Sequence, residues 1–277
     1  MSSKWPYSAD VKLPIPANFS FASPSDSDWR PDASGFWEER DLGLHAASGG
    51  VIGATILRPA PTRSSGEIHQ AQNGDWSFLL VLGGAIRIEE GGGAQTGVLN
   101  RLDAVYIPPG ARYGMTPLDG LRLLRFTAPG SVLRAADSAA PRGLGYFRDS
   151  PAAYTSDGPR AYISYRTFGV RELTQGRLNI QISRSRGKPM PEGGTGWHTH
   201  EMTEWFMVLS GAGRLIVKSG GDFLLRPGDA MTIGPDTPHN QLSADDDYAE
   251  FDVCIPADYA TASAQEPRYP QVAFART

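Results

Sequence analysis

The chain of 277 residues contains a single cysteine and only five histidines, and no long apolar run interrupts it. One thiol, Cys254, cannot close an internal disulfide, so nothing demands an oxidising compartment and a cytoplasmic location is expected. The first residues, MSSKWPYSADVKLPIPANF, lack the apolar centre of a secretory leader, and no stretch reaches the roughly 18 apolar residues of a spanning helix. Charge of neither sign dominates: 26 Lys and Arg against 30 Asp and Glu give a formal net charge of -4. Such a surface offers no basic face to nucleic acid or to an anionic membrane, and neither is expected as a partner. Cys254 sits in the apolar run Phe251-Asp252-Val253-Cys254-Ile255 and reads as a buried structural thiol.

Glycine and proline are abundant, at 32 and 22 residues, which points to many tight turns. Between the turns lie short runs rich in Val, Ile, Leu, Phe and Tyr, among them SFLLVL, AVYIP, LRLLRF, LNIQIS, EWFMVL, RLIVK and AEFDVCI. No segment holds an apolar period of 3.6 over a dozen positions. The expected fold class is all-β.

The chain repeats itself. Residues 40 to 58, RDLGLHAASGGVIGATILR, align without a gap with 166 to 184, RTFGVRELTQGRLNIQISR, at an offset of 126. Within one residue the same offset sets VLGGAIRI (81–88) over VLSGAGRL (208–215) and LDAVYIPPGARY (102–113) over GDAMTIGPDTPH (228–239). Two tandem barrels or jelly-roll sandwiches follow. Their expected limits are an N-terminal arm over 1–35, a first barrel over 36–128, a linker over 129–159, a second barrel over 160–258 and a tail over 259–277. Arm and linker are expected to lie across sheet edges.

Two of the five histidines stand one residue apart in GWHTHEMTEWF. On an extended strand His198, His200 and Glu204 share one face, and His239 ends the strand that follows the Gly228-Asp229 turn. Three imidazoles and one carboxylate would form a mixed nitrogen and oxygen cage for a divalent ion, with positions left for substrate. These residues resemble the cupin superfamily. Its first motif, G-x5-H-x-H-x3-4-E-x6-G, is met by His198, His200, Glu204 and Gly211, although its opening glycine falls on Glu192, with Gly193 and Gly194 beside it. Its second motif is met by Gly228 and His239, with Gly234 and Asp236 where Pro and Gly are usual and Ser243 in place of Asn. The resemblance implies two tandem cupin barrels of the jelly-roll, double-stranded β-helix type, covering roughly residues 36 to 258. The corresponding ligand positions of the first copy are Ala71, Asn73, Ser77 and Tyr113, so metal is expected only in the second; His69 and His45 read as structural or solvated.

One divalent ion per chain is therefore expected, Fe2+ favoured, with Zn2+, Mn2+ or Ni2+ as alternatives. Glu204 is the candidate for both ligand and general base. Gln181, Trp197, Met202 and Phe206 are the candidates for the substrate pocket, which the pattern of neighbours makes largely apolar. The resemblance implies a choice among ring- or diketone-cleaving dioxygenases, oxalate decarboxylases, isomerases and cyclases. The leading expectation is an Fe(II)-type dioxygenase acting on an enolic or phenolic small molecule. The alternatives are a non-oxidative cyclase, isomerase, lyase or decarboxylase, and a metal-stabilised binding protein. Self-association through sheet edges would suit such a fold.

Overall fold

The computed structural model describes residues 19–265 apart from 24, 26–27, 62–67, 72–74, 92–95, 131–142, 159 and 219–220. The described chain is built almost wholly of strands, arranged in two barrels that each pair a larger sheet with a smaller one. In the first barrel the larger sheet runs in the order Gly145–Phe147, Ala104–Ile107, Asp75–Gly83, Arg122–Pro129, Gly53–Pro59, Trp37–Asp41, Arg30–Pro31. Its smaller sheet is Ile68–Ala71, Arg112–Pro117, Ala85–Glu90, Thr96–Asn100. The second barrel repeats the plan with Phe19–Ala22, Ala230–Ile233, Thr203–Ser210, Ala249–Ile255, Asn179–Ser185, Ile163–Thr167 in the larger sheet. Gly221–Leu225, Gly213–Val217, His239–Ala244, His198–His200 and Thr261–Ser263 form the smaller one.

Two edge strands are exchanged between the barrels. Phe19–Ala22, from the arm, pairs antiparallel with Ala230–Ile233 of the second barrel, while Gly145–Phe147, from the linker, pairs with Ala104–Ile107 of the first. The two exchanged strands lie 126 residues apart, so the repeat extends further toward each module's start than the aligned blocks reach. Each exchanged strand covers an edge that would otherwise present unpaired N–H and C=O groups.

The larger sheets are buried on both faces, which explains why EWFMVL and SFLLVL are continuous apolar runs rather than alternating ones. Trp205 and Met207 point one way, into a core shared with Trp76, Phe78, Leu80 and Phe126 of the first barrel. Phe206 and Val208 point the other way, into the interior of the second barrel with Leu215, Val217, Met231 and Ile233. The shared core is rich in rings: Phe78 lies 5.0 Å from Phe168 and 5.9 Å from Phe251, centroid to centroid. Arg166 also crosses this junction. Only 2% exposed, it donates to the Leu102 carbonyl at 2.6 Å and pairs with Asp149 at 3.0 Å. The barrels are thus fixed to one another by apolar burial and by one satisfied buried charge.

Candidate metal centre

The side chains expected to hold a metal come from both sheets of the second barrel. His198 and His200 lie on the short strand His198–His200, and His198 stands directly opposite His239. The chain then bends at Glu201 and Met202 and enters the other sheet, where Glu204 stands opposite Ile233. The bend interrupts the single extended run assumed from the sequence. Met202 is consequently buried at 1% exposure and is not among the cavity-lining residues, whereas Glu204 and Phe206 regain the inward face.

Two of the four departures from the motifs have a local physical answer. Gly194 has φ +79° and a Cβ there would fall 2.1 Å from the Gln241 carbonyl, so this position fills the role of the displaced opening glycine. Asp236 adopts φ 58°, the left-handed conformation usual for glycine, which a short polar side chain tolerates; its N–H donates to the His200 carbonyl at 2.8 Å.

The three imidazoles offer ligand atoms that lie within 4.8 Å of one another. Their ring centroids are 4.3 to 5.2 Å apart. The Nδ1 atoms turn outward: His198 Nδ1 donates to the Gly196 carbonyl at 2.7 Å, and His239 Nδ1 to the Thr237 carbonyl at 2.9 Å. His200 Nδ1 meets Thr261 Oγ1 at 2.8 Å. A carbonyl accepts only from N–H, so two of the rings carry the proton on Nδ1 and present the lone pair of Nε2 inward. His198 Nε2 is buried and has no hydrogen-bond partner. Burial, then repulsion from His239, lowers His198 to about 4; the same causes, with His198 added, lower His200 to about 3. His239 is lowered by burial as well. At neutral pH the triad is uncharged and ready to ligate. Glu204 Oε2 lies 3.8 Å from His239 Nε2 but falls outside the group of ligand atoms within 4.8 Å of one another, which the three imidazoles alone make up; burial raises its carboxyl. The donor set therefore fits one divalent cation.

A cavity of about 690 Å³ opens onto this cluster. His198, His200 and Glu204 form one wall, and Gln181, Trp197 and Tyr259 line it too. Phe206 lines a second pocket of about 30 Å³, room for about one water, in which Leu215, Leu225 and Ile233 meet the three histidines and Glu204. The cavity is not the apolar one expected. Glu250 and Asp252 face it from the strand Ala249–Ile255, Ser183 from Asn179–Ser185, and Arg160 from the segment before the second barrel. Asp252 is 3% exposed; the Ser183 hydroxyl donates to its Oδ2 in a short bond and Gln181 Nε2 adds a weaker one at 3.4 Å. Glu250 accepts from the Tyr248 hydroxyl at 2.5 Å. Burial raises Glu250 to about 7 and Asp252 well above the usual carboxylate range. The alternation in AEFDVCI carries the signal for this wall, because Phe251, Val253 and Ile255 face the shared core and must turn Glu250 and Asp252 inward.

Cys254 is buried, its thiol pushed up by burial. His45 is exposed on the short helix Leu44–Ala47. In the first barrel Ser77 is buried opposite Ile107, matching Glu204 opposite Ile233, and Tyr113 is buried with its phenol pushed up to about 12. Asn73 and the side chains of His69 and Ala71 lie outside the described residues. Among the described residues the His198–His200–His239 cluster is the one group of this kind.

Two jelly-roll barrels, the second carrying a histidine triad from the paired strands His198–His200 and His239–Ala244, make up a tandem cupin fold. Residues 188–256 match the family described as Cupin domain. No curated protein matches the sequence. Solved structures with the same fold include a Pseudomonas aeruginosa protein described as glyoxylate induced, with a TM-score of 0.63 and 14% identity over 95% of this chain and 96% of that one. Another is Ylba from E. coli, with a TM-score of 0.58 and 15% identity over 87% of this chain and 92% of that one. A third is Bacillus subtilis oxalate decarboxylase, described with Mn(II) centres, with a TM-score of 0.54 and 13% identity over 86% of this chain and 78% of that one. No helix among the described residues is long and apolar enough to cross a membrane.

Proposed function

We propose that the chain is a metal-dependent enzyme that acts without dioxygen on a small, polar, oxygen-bearing substrate in the second barrel. The observation that carries this reading is one cavity lined by two histidines of a neutral triad, His198 and His200, together with the carboxyl groups of Glu204, Glu250 and Asp252. A divalent ion held by His198, His200, His239 and Glu204 would supply Lewis-acid polarisation of a substrate oxygen. Mn2+ and Fe2+ both suit three nitrogens and one oxygen.

Glu204 is the residue best placed to move a proton. Its buried carboxyl is raised, which brings it nearer to the pH at which it can both accept and return a proton. Gln181 is already engaged, accepting from Asn179 at 3.1 Å and donating toward Asp252, so its role is to hold Asp252 in place. Tyr259 packs edge-on against His200 at 5.2 Å and, with Trp197, narrows the mouth.

The ligand set also supports a second reading, an Fe2+-dependent dioxygenase acting on an enol or phenol, because four protein ligands leave two positions on a six-coordinate ion. The acid-rich lining favours the first. Protein loaded separately with Mn2+, Zn2+, Ni2+ and, anaerobically, Fe2+ would be screened against small hydroxy and oxo acids and their amides, and against enols and phenols, in an oxygen-electrode cell. Turnover without oxygen uptake is the expected result. Uptake in step with product would instead establish the dioxygenase, and ligand binding without turnover under every metal would make the chain a binding protein.

A further inference from the structure

Asp252 is the least satisfied charged side chain in the cavity. Its Oδ2 takes the Ser183 hydroxyl and the Gln181 amide, but its Oδ1 is buried with no partner, on a residue only 3% exposed. A carboxyl oxygen buried without a donor is unfavourable, and such an atom on a cavity-lining residue marks a place for a ligand donor. His198 Nε2 is likewise buried and without partner, and both residues are among those that line the cavity.

Charge sharpens the choice of ligand. Four carboxylates, Asp157, Glu204, Glu250 and Asp252, line the cavity against one guanidinium, Arg160. The matching strand of the first barrel carries Leu123 and Arg125 where the second has Glu250 and Asp252, so the fold does not require acids there. Arg125 finds its own partners, Glu39 at 2.8 Å and Thr55 at 3.2 Å.

We propose that the wall of Glu250 and Asp252 receives a positively charged N–H donor, such as a primary ammonium, on a substrate whose oxygen faces the histidine triad. This rests on the metal-centre reading above. Asp252 Oδ1 and Glu250 accept from the ammonium, while Ser183 and Gln181 hold Asp252 in position. Small dianions are disfavoured, because their second charge would meet the carboxylates.

Matched pairs test this: 3-aminopropionate against propionate, and 4-aminobutyrate against butyrate, titrated calorimetrically into the Mn2+-loaded protein. In at least one pair the amino acid is expected to bind tenfold or more tightly than the plain acid. Asp252→Asn and Glu250→Gln, each verified to keep its metal, are expected to reduce that preference to about twofold with little change for the plain acid. Equal affinity within both pairs, absence of amine binding at millimolar concentration, or a preference that survives both substitutions would overturn the proposal. His200→Ala separates the two readings. Loss of the oxygen-dependent binding there supports the metal centre, whereas an ammonium preference that persists unchanged without metal leaves the acid wall standing and removes the ion.

Discussion

Opposite Ile107 the first barrel carries Ser77; opposite Ile233, the equivalent place, the second carries Glu204. Exchanges to ligand-type and acidic side chains recur around the ring. Tyr113 stands where the second barrel has His239, and Leu123 and Arg125 where it has Glu250 and Asp252. Inside the first barrel Leu79, Val81, Ile86, Ile88, Val105, Ile107, Met115 and Leu123 are all buried together. The second keeps its apolar packing at one end, around Phe206, Leu215 and Ile233, and opens into a polar cavity at the other. One backbone plan thus supports a solid core or a reaction chamber, and the choice rests on a handful of inward positions.

Metal should expose the difference most strongly. Adding Mn2+ to metal-free protein should raise its melting temperature by several degrees through preferential binding to the folded state, and His200→Ala should abolish the rise. Differential scanning calorimetry reads both, and a rise of equal size in the mutant would break the comparison. Next in size is the packed barrel. Leu79→Ala should cost about 2–5 kcal/mol in urea unfolding without altering metal content, whereas a cost under 1 kcal/mol would mean that the first barrel is not close-packed.

A smaller effect separates the barrels by pH. His198 and His200, lowered to about 4 and 3 from 6.5, stay neutral in the fold, so their contribution is complete above about pH 6.5 and is lost as the pH falls through those values. Glu250, raised to about 7 from 4.5, works oppositely: its contribution is present below pH 4.5 and is lost as the pH rises through 7. Metal-free protein should therefore be most stable in mildly acidic solution. Glu250→Gln should stabilise it by about 1–3 kcal/mol at pH 8, with no gain below pH 4.5. A gain independent of pH would refute that origin. Smallest in stability, though large in turnover, Glu204→Gln should retain most of the metal while losing most activity; equal loss of both would make Glu204 chiefly a ligand.

Much of this organisation is legible in the residues themselves. The repeat at 126 and the HxHx3E spacing point to two barrels and an asymmetric metal site because period and ligand chemistry are both local properties. That arm and linker cover sheet edges is expected, but which residues pair there is not visible that way, since Phe19–Ala22 and Gly145–Phe147 declare themselves only through partners about 40 residues away or more. The bend at Glu201 and Met202 likewise escapes an alternation rule that assumes an unbroken strand, which is why Met202 leaves the pocket. The acid wall is missed because AEFDVCI reads as apolar until both of its faces are known to be buried. Its acids then have only the cavity to face.

X-ray absorption spectroscopy of the Mn2+-loaded protein examines the central claim most directly, since multiple scattering from imidazole rings counts histidine ligands. The account predicts three imidazoles and at least one oxygen donor on a single ion per chain, falling to two imidazoles or to loss of the ion in His239→Ala. An ion bound without imidazole scattering, or with a coordination shell unchanged in that mutant, would contradict it.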